Sequence, residues 1–533
     1  MKTAPALATA LALSAATVLT AATPASSAAT AASGPSAGPS ASSASPASSA
    51  DSADADRLER FHRQPLAWSP CQEPQLAAAG AECAALTVPL DYRDPRGRTL
   101  SLAVSRIRAA DPAKRRGVLQ TNPGGPGDRG LDMPLALREQ LAPGTAAVYD
   151  IIGMDPRGVG ASEGLNCGLT RGTWLRSVGS GNSTGTGTGT GRGGFEQAWR
   201  LAKADADACW NKYPDLLPHL TTRNTARDID VLRAALGEQR TSFFGQSYGA
   251  LLGAVYAQLF PQRVDRLVLD SALDPARYGV GAFQDMAGAN ERALDDFAAW
   301  AAPQDAVYRL GATPAAVRAT VEGLVRRAEA APIAVDGFRL DGALLPVLLA
   351  VCLSDDRDSA LCADVLRQLL DAADGKPVQA GPALHQLLTL LLSPGPDAGA
   401  GLASTLAVLC DDVAMPRSAG WYRDAVERSR ATEPVFGPVY NGPTPCASWR
   451  SAPLEPTVEV RTAVPALQLH ATGDTHALYP GALALHSRLS GSRLVTVPGR
   501  VHTLYLNAYN ACADGAVDTY LSTGALPAAD TVC

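Results

Sequence analysis

Short apolar runs bounded by Gly and Pro recur along residues 83–270 and again after residue 464, with helix-spaced segments between them. Residues 85–90 and 99–107 read as two strands, and Asp91-Tyr-Arg-Asp-Pro-Arg-Gly97 supplies the turn of a hairpin between them. Residues 117–121 form a further strand-like run that breaks on Asn122-Pro-Gly-Gly-Pro-Gly127, and 147–154 another that breaks on Asp155-Pro-Arg-Gly-Val-Gly160. Apolar positions three and four apart predict helices over 195–213 and 222–236, the second stopped by Gly237. Residues 241–246, 266–270, 464–471 and 493–497 complete the strands. Such alternation predicts an α/β fold on a mostly parallel sheet with right-handed crossovers.

The alternation stops between residues 275 and 455. That stretch is rich in Ala and Leu at helical spacing and is interrupted by Pro/Gly loops such as 393–401, so it reads as a helical cap inserted after the strand ending at Asp270. Core segments over 57–274 and 456–533 then flank a cap over 275–455. Residues 178–194, mostly Gly, Ser and Thr, read as a flexible surface loop.

Ahead of the core, Met1-Lys2 and a mostly Ala/Leu/Val run end in small residues, the pattern of a signal peptide over 1–28. Residues 29–56 are largely Ala, Ser, Pro and Gly with little to bury, and read as a disordered linker. A secreted, extracellular protein is expected, with no membrane attachment after signal removal, because no Cys follows the apolar run to carry a lipid. At 533 residues and 46% apolar content, the chain can bury a large core and a smaller second one. A net charge of −6 without a Lys/Arg block argues against nucleic acid and leaves small or peptidic partners. A monomer is expected. Ten cysteines in an exported chain favour disulfides, and none is spaced Cys-x-x-Cys as a zinc site would be. Nearness in sequence pairs Cys71 with Cys83, Cys167 with Cys209, Cys352 with Cys362, Cys410 with Cys446 and Cys512 with Cys533, although sequence alone leaves the connectivity open.

The chemistry concentrates at Gly245-Gln-Ser-Tyr-Gly249, which follows a β-prone run and opens a helix-forming one. A strand that reverses into a helix this tightly strains the Ser and crowds its neighbours, so glycines two positions either side are a steric need. Ser247 is the candidate nucleophile. A serine hydroxyl needs a base to take its proton, and an imidazole needs an acid to fix its tautomer. His502 lies in the loop after 493–497, whereas His62, His219, His385, His470, His476 and His486 all precede that strand. Asp474 follows the preceding strand and is the favoured acid; Asp270, at the end of the strand after the elbow helix, competes with it. Tyr248 N–H and Gly125 N–H are the natural oxyanion donors, with Gly124 the alternative to Gly125. A triad of this kind requires no metal and no cofactor.

Together these motifs, with the ending Tyr520-Leu-Ser-Thr-Gly-Ala-Leu-Pro527 and Cys533, resemble the secreted tripeptidyl aminopeptidases of actinobacteria, relatives of the proline iminopeptidases within the α/β-hydrolases. The resemblance runs from about Trp68 to Cys533 and implies an α/β-hydrolase fold with a cap. It also implies a serine exopeptidase acting on peptides with a free N-terminus, with Ser247, Asp474 and His502 as triad. Three positions depart from the family's pattern: Asp474-Thr-His-Ala-Leu-Tyr-Pro480 replaces Asp-x-x-Thr-Pro, Val501 replaces a Gly before the His, and Arg129 replaces a Ser before Gly130. A secreted carboxylesterase on the same scaffold and a catalytically inactive binding homologue are the alternatives.

Overall fold

The computed structural model describes residues 58–169, 192–392 and 400–533, and in it the apolar runs pair into strands. These are β1 (Ser69–Pro70), β2 (Glu82–Pro89), β3 (Thr99–Ile107), β4 (Gly117–Asn122), β5 (Tyr149–Met154), β6 (Thr241–Gln246), β7 (Val264–Asp270), β8 (Ile333–Val335), β9 (Phe338–Leu340), β10 (Ala466–Ala471), β11 (Ser492–Val497) and β12 (Thr531–Val532). Ten of them make one sheet in the order β1-β2-β3-β5-β4-β6-β7-β10-β11-β12. The hairpin β2/β3 and the β3/β5 pair are antiparallel. From β5 through β12 every neighbouring pair is parallel. The inner strands are covered on both faces, so β4, β6 and β10 are buried at every position. That is why their sequences do not alternate apolar and polar positions as a strand with one wet face would, and why polar residues such as Gln120, Thr241 and Gln468 are buried among them.

Helix α1 (Arg192–Lys212) begins within the stretch read as a loop over 178–194, and the rest of that stretch lies outside the described residues. The first turn of a helix needs no apolar face, so Arg192-Gly-Gly194 carried no helical signal. The expected signal peptide and linker, and residues 393–399 of the expected loop over 393–401, also lie outside the described residues. Helix α2 (Thr222–Ala235) is capped by the Thr221 side chain and stops before Gly237, at φ 76°. Helix α3 (Tyr248–Leu259) follows β6 directly. Between β7 and β10 the described residues add no strand to the main sheet. It forms helices including α4 (Val280–Ala301), α5 (Pro314–Ala330), α6 (Ser359–Ala373) and α7 (Ala400–Asp412), plus the small ribbon β8/β9, which the helical spacing did not foretell. Helix α8 (Ala511–Thr523) closes the core and ends on Gly524 in the left-handed region. No helix among the described residues is long and apolar enough to cross a membrane. All five cysteine pairs expected from sequence proximity are disulfide-bonded.

The segment Asp155-Pro-Arg-Gly-Val-Gly160 is explained by burial. Arg157 and Asp228 of α2 are both fully buried, and the guanidinium grips the carboxylate through Nε at 2.7 Å and Nη2 at 2.6 Å. Its remaining N–H groups reach the carbonyls of Pro89, Leu90 and His219, and the Tyr92 hydroxyl donates to Asp228 at 2.7 Å. This satisfied network joins the hairpin, the loop after β5 and α2. Removing one partner leaves the other charge buried alone. Asp228→Ala is expected to cost about 3–5 kcal/mol, read as a lower urea midpoint with unchanged slope; a loss within about 0.5 kcal/mol would remove the network from the fold's supports.

Candidate active site

Strand β6 ends at Gln246, and Ser247 takes φ 55° and ψ −123° before α3 begins. A non-glycine residue held there costs on the order of 1–3 kcal/mol, which the surroundings must supply. The Ser247 N–H donates to the Asp270 carbonyl at 2.8 Å. The glycines permit the rest. A Cβ on Gly245 would lie 2.2 Å from the Gly249 carbonyl oxygen, and one on Gly249 would lie 2.4 Å from the Asn122 carbonyl oxygen. A Cβ on Gly124, at φ +107°, would lie 2.6 Å from the Gln246 carbonyl oxygen. The turn after β4 therefore sits directly against the elbow.

That packing sorts the N–H groups around the serine. Gly124 N–H is engaged by the Asn122 side chain at 3.0 Å, whereas the N–H groups of Gly125 and Tyr248 meet no acceptor among the described residues. The loop is pinned just downstream, where buried Asp155 accepts from Gly130 N–H at 2.8 Å and Leu131 N–H at 3.2 Å. Arg129 pairs with Glu73 and also stands 3.7 Å from Asp155, the carboxylate that pins this backbone.

Asp474 and His502 come together from the loops after β10 and β11. The imidazole Nδ1 lies 3.0 Å from Oδ1 and 2.9 Å from Oδ2 of the carboxylate. Asp474 is 3% exposed, and Oδ1 also accepts the N–H groups of His476 at 2.8 Å and Ala477 at 3.0 Å. Burial opposes its ionisation, but the charge and hydrogen bond of His502, helped by His470 and His476, outweigh that and hold its pKa below the usual value. For His502 burial favours the neutral ring, and Asp474, with a smaller contribution from Asp270, more than reverses it, raising the pKa above 6.5. Val501, in the place of the family's Gly, is buried in the apolar core beside Val497 and Leu504.

Asp270, the competing acid, does something different. Its carboxylate accepts Leu504 N–H at 2.9 Å, Tyr505 N–H at 2.9 Å and the Gln246 side chain at 3.1 Å. Next to it, Ser271 Oγ accepts the Thr503 N–H at 2.9 Å. The end of β7 thus ties the His502 loop to the same sheet edge as the elbow. Sequence reading missed this role, and also a chain of hydrogen bonds behind the elbow: the Tyr248 hydroxyl lies 2.7 Å from Thr222 Oγ1, which donates to Asp412 at the end of α7. Burial pushes Asp412 up to about 7. Nothing in the local pattern around Asp412 signals that contact, because its partner lies 190 residues away.

Residues 119–318 match the family described as alpha/beta hydrolase fold, and residues 433–533 the one described as TAP-like protein. A tripeptidyl aminopeptidase of Streptomyces coelicolor is 33% identical over 491 residues, covering 89% of this chain and 87% of its own. Serine protease Hip1 of Mycobacterium bovis is 28% identical over 498 residues, 88% of this chain and 91% of that one. Carboxylesterase B of Mycobacterium tuberculosis is 29% identical over 505 residues, 88% and 89% respectively.

The two carboxylates are separable in solution. Asp474→Asn removes the main charge that raises the His502 pKa, so the imidazole titration followed by NMR should shift to lower pH. Asp270→Asn should shift it less, yet lower stability by about 1–3 kcal/mol by impairing a buried acceptor of backbone N–H groups. A larger His502 shift from Asp270→Asn would reverse the two assignments.

Proposed function

The chain belongs to the tripeptidyl aminopeptidase family of α/β-hydrolases and is a serine hydrolase; on that footing we propose that it is an exported serine exopeptidase that removes short peptides from free N-termini. Ser247 Oγ attacks the scissile carbonyl while His502 Nε2 takes its proton. Asp474, bonded to Nδ1, keeps that nitrogen protonated and stabilises the imidazolium. Tyr248 N–H and Gly125 N–H hold the oxyanion, a contribution of about 3–4 kcal/mol for one such donor. The imidazolium then protonates the leaving amine, and a water activated by His502 releases the peptide from Ser247. The observation that carries this reading is the bond between the His502 imidazole and both Asp474 oxygens, anchored through Asp270 to the strand end beside Ser247. The five disulfides fit an oxidising destination.

A second reading, a carboxylesterase on the same residues, is favoured by the carboxylesterase among the relatives. The elbow, acid and base serve either leaving group, so substrate choice rests with groups beyond the triad.

Purified protein should cleave an unblocked tripeptide chromogenic amide, and Ser247→Ala should lose about 10⁴–10⁶-fold in kcat/KM. An N-acetylated version of the same substrate should be spared; equal turnover of both would overturn the exopeptidase reading, and turnover of short-chain nitrophenyl esters alone would favour the esterase. The base must be neutral to act, so kcat/KM should rise with pH through a midpoint above 6.5, the direction in which Asp474 moves His502.

A further inference from the structure

His476 belongs to the run that departs from the family's pattern, and the hydrolytic chemistry leaves it unused. Its ring lies 4.8 Å from the His502 ring, centroid to centroid, at 33° between planes. The loop fixes it there, because the N–H groups of His476 and Ala477 both fold back onto Asp474 Oδ1. One nitrogen from each imidazole and one carboxylate oxygen of Asp474 lie within 4.8 Å of one another. Among the described residues, no other group of three His, Cys, Asp or Glu has this spacing. A surface cleft lined by Gly473, Tyr479 and Arg500 reaches Asp474, whose own side chain is buried, while the His476 and His502 rings are partly exposed.

From this geometry we propose that Asp474, His476 and His502 form a reversible binding site for a borderline-soft divalent cation, with Zn²⁺ the type, and that filling it switches the enzyme off. Two imidazoles and one carboxylate with a fourth position left to water is a ligand set that zinc accepts. Zinc–nitrogen bonds of about 2 Å in a tetrahedron put ligand atoms about 3.3 Å apart. His502 Nδ1 and the Asp474 oxygens already stand at 2.9–3.0 Å, so the closure required is a swing of the His476 ring, which is only partly buried. Mg²⁺ and Ca²⁺ prefer all-oxygen shells and are poorly served by two imidazoles.

Inhibition is a matter of the proton count on one ring. A cation on His502 Nε2 occupies the lone pair that would accept the Ser247 proton. A cation on Nδ1 displaces the proton held toward Asp474, and the neutral ring then carries its hydrogen on Nε2. In either case the ring cannot act as base. The binding site stands on its three side chains alone; that its occupation inhibits rests on the triad reading.

Two measurements separate these claims. Chelator-treated Ser247→Ala protein, titrated with Zn²⁺ against a chromophoric chelator, should bind one ion per chain, and His476→Gln in the same background should weaken that binding by at least about 10–100-fold, the range that loss of even an outer-shell partner costs. In active protein Zn²⁺ should inhibit amide hydrolysis, EDTA should restore it, Mg²⁺ at the same concentration should have no effect, and His476→Gln should raise the inhibitory Zn²⁺ concentration by the same factor. Thermal melts of the variant guard against misfolding, and His476→Asn provides a second replacement. Absence of bound Zn²⁺, or binding and inhibition unchanged in both His476 variants, would overturn the proposal whether or not the peptidase reading stands.

Discussion

One buried carboxylate holds the two halves of the site in register. Asp270 ends β7 beside the elbow, its carbonyl accepts the Ser247 N–H, and its carboxylate receives the N–H groups of Leu504 and Tyr505 together with the Gln246 side chain. The Ser247 turn comes from the middle of the chain and the His502 loop from its end. A loop as free as the one after β11 would sample many positions for His502, and fixing it through backbone hydrogen bonds to a strand end removes that freedom before any substrate arrives. Asp474, which bonds the imidazole Nδ1, then sets the orientation of the ring.

Around that anchor the site is built by close approach of backbone to backbone. Gly245 faces Gly249, Gly249 faces Asn122 and Gly124 faces Gln246, each at a distance that excludes a Cβ. The Gly-rich loop thus reaches the serine with the Gly125 N–H, which meets no acceptor among the described residues, while Asp155 and the Arg157–Asp228 pair fix the chain on its far side. Strain at Ser247 is supported by this shell, to which the elbow's own glycines and the loop after β4 both contribute. The helical insert joins the same shell through Asp412, Thr222 and Tyr248, so the position of α7 bears on the residue whose N–H stands next to the serine.

Much of this architecture was legible along the chain because it is written in local chemistry. A strand, a Gly-x-Ser-x-Gly turn and a helix announce an elbow wherever the backbone must reverse, and apolar runs broken by Gly and Pro announce buried parallel strands. The positions of Asp474 and His502 after successive strands reflect the order of a doubly wound sheet. Disulfide partners close in sequence were readable for a related reason, since nearby cysteines have few competitors. The departures at Arg129 and Val501 were visible too, but not their consequences: one side chain lies between Glu73 and Asp155 and the other sinks into the core.

The linear order left open the contacts between residues far apart in it. Asp270 and Asp474 are both strand-end carboxylates, and no local pattern says that one meets an imidazole while the other collects backbone N–H groups. Gly124 and Gly125 are neighbours of the same type, and only the Asn122 side chain, curling back onto one of them, tells them apart. His476 read as one of several histidines before the last strand until folding laid its ring against His502. Elements, their order and the candidate chemistry are properties of short stretches, carried by propensity and spacing. Roles among like residues depend on which partner arrives from elsewhere, and only the folded chain brings that partner.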